Sequence, residues 1–454
     1  MVDSGAPDAF REVERHLLSR WPETKLDPSL ERIAALCDLL GQPQRAYPVV
    51  HLTGTNGKTS TARMIDTLVR GLGLRTGRYT SPHVESMTER ISVDGSPLTE
   101  TRFAEVYAEV APYADIVDRS GEHPVSFFEL VTAMGFAAFA DAPVDAAIVE
   151  VGMGGSWDAT NVAEANVAVV TPIAVDHAAY LGDTPELIAV EKAGIIKADS
   201  FAVLAQQPVE AAEVLLRRSV EVGATVAREG LEFGVASRAP ALGGQLVSIR
   251  GLEAAYEDVF LPLYGAHQAQ NAACALAAVE AFAGGRGLDG GLDTDVVREA
   301  FASVSSPGRL EVVRRSPTVL IDAAHNPHGA QAAADAVQEA FSFSPLIGVI
   351  GVMADKDVEG LLSAFEPVMH SLVCTQNSTA RALEADVLGD VASGIFGPDR
   401  VVVQARLDDA IENAIALAEQ GDGMSGVGGG GVLITGSVIT AGQARMLLGG
   451  RDHA

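Results

Sequence analysis

The chain has 454 residues, enough for two or three domains of ordinary size, and 48% of them are hydrophobic against 20% charged. That supplies ample apolar material for packed cores and excludes intrinsic disorder. A formal net charge of −28, from 60 acidic and 32 basic residues, gives a field that repels nucleic acid and anionic membrane, while still admitting a small anion wherever a few cations dominate a cleft.

Three well-separated cysteines, Cys37, Cys274 and Cys374, form no CxxC. Neither a disulfide framework nor a cysteine zinc site is expected, and a reducing compartment fits. The N-terminal residues lack a basic stretch followed by an apolar one, so a cytoplasmic location is expected. The uncharged stretch GMSGVGGGGVLITGSVITAG is too rich in Gly, Ser and Thr to span a membrane. Only five lysines occur, Lys25, Lys58, Lys192, Lys197 and Lys356, which makes each a candidate for work that arginine cannot do.

Apolar runs alternate with helical patterns along the chain, the signature of an α/β protein. PVVHLT (48–53) reads as a strand, GTNGK as a turn, and TSTARMIDTLVRGLG as a helix. Further buried strands are expected at 144–152, 166–173 and 201–206, with helices over 127–140, 184–197 and 267–284. Residues 225–263 are more β-like, with loops at APALGG and GLEAAYED. After SSPGR a second αβ series has strands at 318–324, 345–353, 371–376, 400–404 and 431–437, and the glycine run 428–431 reads as a loop before the last of them. The interruption places a domain boundary between 304 and 305, giving domains 1–304 and 305–454.

The motif TGTNGKTS (53–60) lies where a strand hands over to a helix. Its glycines let backbone N–H groups turn around phosphate oxygens, and the helix N-terminus favours negative charge. Lys58 would reach the outer phosphates, and the hydroxyl of Thr59 or Ser60 could lie near Mg²⁺. The strict GxxxxGK[ST] pattern fails, because position 52 is leucine; the core Gly54–Gly57–Lys58–Thr59 remains. Glu150 ends the strand AAIVEV, a place suited to holding a hard cation, although strand-end acids are also ordinary capping residues. His177 follows the next strand. Lys192 lies in a mostly apolar helix, where most lysines simply extend to solvent. A buried lysine with a lowered pKa is also able to take up CO₂ as a carbamate, which arginine cannot. Arg309, Asp322 and His325 belong to PGRLEV and IDAAHNPHG, the latter at the end of a strand.

Together GTNGKTS, TSPHVESMTERI, EVGMGG-x-WDATN, DH…EKAGIIK, HQAQNA, SPGRLEV and DAAHNP resemble the folylpolyglutamate synthase and dihydrofolate synthase family of the Mur ligase superfamily, in order and over nearly the whole chain. RWPETKLDPSLERIAALCDLLGQP is most similar to actinobacterial, bifunctional members. The resemblance implies a P-loop-type ATPase domain with a mostly parallel sheet, followed by a smaller Rossmann-like α/β domain. It implies ATP as substrate, with Thr55, Asn56, Gly57, Lys58, Thr59 and Ser60 around its phosphates, and with Asn271, Arg309 and Asp322 completing the site beside His325. It further implies Mg²⁺ (one or two ions) on Ser81, Glu150 and His177, a carbamylated Lys192, and K⁺ as a further cation. Phe127, Phe128, Trp157, Asp158 and Ala159 would contact the pterin and aryl groups, and a monomer is expected.

The implied reaction joins a carboxylate, of dihydropteroate or of a reduced folate, to the amine of L-glutamate through an acyl phosphate. The family usually has arginine where this chain has Ser156, which removes a cation near an anionic substrate; weaker substrate binding with retained chemistry is expected. A peptidoglycan Mur-type ligase is the nearest alternative, but only about 50 residues precede the phosphate loop, too few for the extra domain such enzymes generally carry. A non-catalytic ATP-binding homologue would be expected to have lost some of Lys58, Ser81, Glu150, His177 and Lys192, all of which are present.

Overall fold

The computed structural model describes residues 6–22, 27–285, 287, 290–420 and 429–449; Lys25 and residue 428 lie outside them. The chain divides into two compact units. One comprises residues 1–237, 247–260 and 269–304; the other comprises 238–246, 261–268 and 305–454. The short segments 238–246 and 261–268, inside the span expected for the first domain, thus cluster with the second unit.

In chain order the strands are β1 (Val49–Thr53), β2 (Thr76–Tyr79), β3 (Ile91–Val93), β4 (Ser96–Pro97), β5 (Ala146–Glu150), β6 (Ala165–Val170), β7 (Phe201–Leu204), β8 (Thr225–Arg228), β9 (Gly234–Ala241), β10 (Gly244–Arg250), β11 (Ala255–Leu261), β12 (Glu311–Arg315), β13 (Thr318–Ile321), β14 (Leu346–Ile350), β15 (Ser371–Cys374), β16 (Val401–Val403) and β17 (Gly431–Thr435). The first sheet has eight strands in the order β4-β3-β2-β5-β1-β6-β7-β8. It is parallel from β2 to β8, and β3 and β4 return antiparallel at one edge. Helices cover both faces. One core sets the helices Glu100–Ser120 and Phe127–Asp141 against the sheet, and another sets Pro185–Lys192 and Val209–Val222 against β6 and β7. Strands covered on both sides read as unbroken apolar runs, which is why β1, β5 and β6 were legible.

The second large sheet runs β12-β13-β17-β14-β15-β16, with only β12 antiparallel. Helices Pro327–Ala340, Val358–Phe365 and Ala385–Phe396 pack on one face; Leu407–Gln420 and Val438–Leu447 pack on the other. A three-stranded sheet, β11-β10-β9, completes the topology. The α/β class and the mostly parallel sheet therefore stand as expected.

Three expectations are corrected. The helix expected over 184–197 ends at Lys192 and continues as a 3₁₀ turn, Ala193–Ile195. There Gly194 lies so close to Ser156 that a Cβ would meet its Oγ at 2.2 Å. The loop expected at GLEAAYED is half strand, because β11 begins at Ala255. β2 escaped notice because TGRY carries Arg78. That residue is buried by an ion pair rather than by an apolar face: Asp66 of the helix Lys58–Gly71 accepts from Arg78 Nη1 at 2.6 Å and from Thr76 Oγ1 at 2.6 Å.

Candidate active site

Ligands of open α/β sheets bind beyond the carboxyl ends of the strands. In the first sheet four neighbours, β2, β5, β1 and β6, are parallel and adjacent. Ser81 follows β2, Glu150 closes β5, the phosphate loop follows β1, and His177 follows β6. Sequence-distant residues are thus delivered to one edge by strand order alone.

The phosphate loop is held by backbone geometry that only glycine supplies. Gly54 has φ 144°, and a Cβ there would lie 1.9 Å from Thr171 Oγ1. Gly57 has φ 89°, and its Cβ would lie 2.5 Å from Asn271 Oδ1, so the Asn271 side chain is pressed against the loop. The helix Lys58–Gly71 starts here, and its first bond runs from Thr61 N–H to Gly57 C=O. The first N–H groups of a helix are not used by its own ladder, and such an N-terminus favours negative charge. The N–H groups of Thr55 and Asn56 point elsewhere, to the Pro172 carbonyl at 3.0 and 3.4 Å. Thr55 Oγ1 donates to Ala174 O at 2.8 Å and accepts from Ala174 N at 3.0 Å. Thr55 thereby ties the loop to the segment that carries His177.

Two lysines meet at this loop. Lys58 Nζ donates to Gly54 O and Thr55 O at 3.1 and 3.2 Å. Lys192 Nζ, on a residue only 4% exposed, donates to Gly54 O at 2.9 Å. Burial, with Lys58 adding like-charge repulsion, lowers Lys192 from 10.5 to about 7. A large share of neutral amine therefore exists near neutrality, the form that reacts with CO₂. Ser156 locks the same segment: its N–H and Oγ–H both donate to Glu191 O, at 2.9 and 3.0 Å.

Glu150 is buried, and its two oxygens accept from Thr59 Oγ1 at 2.9 and 3.0 Å. Magnesium prefers oxygen donors and usually takes one or two from protein, the rest from phosphates and water. A buried carboxylate beside the hydroxyl of Thr59 fits that donor chemistry, and the buried Ser81 follows the neighbouring strand β2. His177 caps the short helix Ala178–Leu181 with φ 53°, and its N–H donates to Asp176 Oδ1 at 2.8 Å. Among the described residues no cluster of three or more His, Cys, Asp and Glu side chains could hold a metal unaided.

The aromatic residues separate into two groups. Phe127 lies beneath the Arg90 guanidinium at 5.0 Å, and Phe128 meets Tyr79 edge-on at 6.1 Å. A Cβ on Gly152 would touch the Phe128 ring at 2.5 Å and Asp158 Oδ2 at 3.2 Å, so Phe128 and Asp158 flank one backbone segment. Ala159 is buried in the same core as Phe127. Trp157 turns the other way and packs with Met153 against the core that contains Leu181.

In the second unit, Asp322 follows β13. Its Oδ2 accepts from Leu310 N at 3.0 Å, and its Oδ1 accepts from Ala324 N at 2.8 Å. Burial raises its pKa, and Arg309 nearby opposes that rise. His325 Nδ1 donates to Ala323 O at 3.0 Å. His267 is pulled down to about 4 by burial and by Arg309, His328 and Arg238.

Sequence reasoning passed over Arg90, His51 and the Asp66–Arg78 pair. The available signal was a charged or polar residue inside an otherwise apolar element: Arg78 in TGRY, His51 in VVHLT. Arg63 is a fourth. It lies on the face of its helix that carries Thr59, four residues on. Burial, then Arg78, lower it to about 10 while Glu89, Asp66 and Glu150 oppose.

Comparison with known proteins places the geometry in a class. Residues 121–279 match the Mur ligase middle domain, and residues 308–437 match the Mur ligase glutamate ligase domain. The chain is 52% identical to the dihydrofolate synthase/folylpolyglutamate synthase of Mycobacterium tuberculosis, over 96% of this chain and 93% of that one. It is 31% identical to the Bacillus subtilis protein of the same name, over 93% and 95%. Among solved structures, M. tuberculosis folylpolyglutamate synthase complexed with ADP and AMPPCP superposes with a TM-score of 0.93 at 51% identity, covering 98% of this chain and 99% of that one. Escherichia coli FolC in complex with DHPP and ADP does so at 0.84 and 29%, covering 97% and 98%. The chain belongs to the dihydrofolate synthase/folylpolyglutamate synthase family of Mur-type ligases. Among the described residues no helix is long and apolar enough to cross a membrane.

Proposed function

We propose that the protein is an ATP-dependent ligase that adds L-glutamate to dihydropteroate and to reduced folates. The observation that carries this reading is the meeting of Lys58, Lys192 and the Thr59–Glu150 pair at one phosphate loop. A carboxylate is a poor acylating agent. Attack of its oxygen on the γ-phosphorus of ATP gives an acyl phosphate and ADP. The glutamate amine then attacks the acyl carbon, loses a proton, and expels phosphate. The loop glycines and the helix N-terminus bind and orient the phosphates, and Lys58 balances charge on the group in transfer.

Mg²⁺ would be held by Glu150, Ser81 and His177 and would supply charge neutralisation at the phosphates. Lys192 is proposed to carry CO₂ as a carbamate, by attack of its neutral amine on CO₂ with loss of one proton. Phe127, Phe128, Asp158 and Ala159 are proposed to bound the pterin and aryl groups, with Trp157 contributing from the other core. For Asn271, Arg309, Asp322 and His325 we retain the nucleotide role that the resemblance implies. The proposed domains are 1–304, ATP-binding, and 305–454, Rossmann-like. K⁺ use, a monomeric state and a cytoplasmic location are proposed with them.

Mass spectrometry of products tests the reading: incubation with ATP, Mg²⁺, L-glutamate and tetrahydrofolate or dihydropteroate should yield acceptors heavier by glutamyl residues. Absence of any glutamylated product would overturn it.

A further inference from the structure

His51 is the third residue of β1, at the centre of the first sheet, and is completely buried. A buried imidazole must find its hydrogen bond inside the protein. Nε2 lies 2.9 Å from Thr160 Oγ1, and that hydroxyl lies 2.5 Å from Asp158 Oδ1. Nδ1 is buried without a partner. Burial, with Lys197 adding repulsion, brings His51 down to about 3, so the ring is neutral and carries one N–H.

The proton positions follow. An N–H on Nδ1 would be stranded, and Thr160 would then have to donate to His51 instead of to the carboxyl group. With the N–H on Nε2, one chain satisfies every donor and leaves only the Nδ1 lone pair without a partner: His51 Nε2–H donates to Thr160 Oγ1, and Thr160 Oγ1–H donates to Asp158 Oδ1. Asp158 Oδ1 also accepts from Thr160 N at 3.0 Å, and Oδ2 accepts from Met153 N at 3.0 Å. Asp158 thus ties down Gly152–Met153, the backbone on which Phe128 packs.

We infer that His51 is a positioning residue of the acceptor-binding region: it fixes the Thr160 hydroxyl, and through it the Asp158 carboxyl group and the Gly152–Met153 backbone. His51 does not touch substrate. It acts from the middle of the sheet, where leucine or valine would pack without an orphaned nitrogen. The inference rests on the proposed acceptor-binding role of Asp158 and Phe128.

Steady-state kinetics of His51→Leu, His51→Gln, Thr160→Val, Thr160→Ser and Asp158→Asn tests it. Loss of a neutral hydrogen bond that orders a binding group should raise KM for dihydropteroate or tetrahydrofolate about tenfold in His51→Leu, with KM for ATP and kcat within about twofold. Glutamine, which can place an amide N–H near the Nε2 position, should recover most of the loss. Thr160→Val should match His51→Leu, Thr160→Ser should resemble wild type, and the Leu/Val double variant should add nothing further, because the two residues act through one chain. If His51→Leu does not fold, the Thr160 pair decides alone. Lower melting temperatures for both His51 variants, with the acceptor KM unchanged, would reduce His51 to a packing residue. If Asp158→Asn raises the acceptor KM while His51→Leu and Thr160→Val do not, the inference fails and the acceptor-site reading survives. If Asp158→Asn leaves that KM unchanged, the acceptor-site reading itself fails.

Discussion

Lys58 and Lys192 donate to a single acceptor, the carbonyl oxygen of Gly54, at 3.1 and 2.9 Å. Two ammonium groups on one carbonyl is an arrangement that charge repulsion disfavours. Burial lowers Lys192 to about 7, and repulsion from Lys58 adds to that, so the more buried amine is the one that gives up its proton. A carbamate on Lys192 would reverse its charge and turn repulsion toward Lys58 into attraction.

Carbamylation is therefore expected to rise with pH through about 7. Protein equilibrated with ¹³C-bicarbonate should show a carbamate carbon by NMR that Lys192→Met lacks. Removing CO₂ should lower activity, and Lys192→Ala should lose on the order of 10²–10³-fold in kcat, the scale of losing a preorganised electrostatic group. Full activity of Lys192→Ala would contradict the assignment.

The same group makes a prediction for stability. The folded pKa of about 7 lies below the ordinary value of 10.5. Between those values the unfolded chain holds the extra proton, so stability rises with pH across that window. In CO₂-depleted buffer, Lys192→Met should be more stable than wild type below pH 7, with the difference shrinking toward pH 10.5. Thermal melts at pH 6 and pH 10 check it; equal differences at both would contradict it.

Lys58→Ala should reduce kcat by about 10²-fold or more and leave the fold intact, while Gly57→Ala should weaken nucleotide binding because its Cβ would press on Asn271 Oδ1. Calorimetric titration with ADP separates the two. Wild-type kcat in Lys58→Ala would remove the phosphate-loop assignment.

Asp66→Ala should destabilise the first unit by about 3–5 kcal/mol, because it strands the buried Arg78 guanidinium. Urea unfolding measures this, and a change under about 1 kcal/mol would show that the pair is not what seats the phosphate-loop helix on β2.

Ser156→Arg, which restores the cation the family usually has, should lower the acceptor KM. It gives up the Oγ–Glu191 bond, at a cost of about 1 kcal/mol. An unchanged or higher KM would show that the cation is not missed here.

Three of the four strands that position the site, β1, β5 and β6, were legible because parallel strands buried on both faces read as apolar runs, and the phosphate loop was legible because its glycines have steric necessity. The shared acceptor of Lys58 and Lys192 was not, since Gly54 and Lys192 are brought together only by strand order. Nor was the turn of Trp157 away from Phe128, which sequence adjacency to Asp158 conceals. β2 and His51 were obscured for a common reason: their polar groups are satisfied by partners distant in sequence, and no local pattern records that.

The most direct test is phosphate release from ATP by the purified protein with Mg²⁺ and L-glutamate, compared across 7,8-dihydropteroate, tetrahydrofolate and no acceptor. The account predicts acceptor-dependent release with both substrates and little without either. No acceptor-dependent release with either would contradict it.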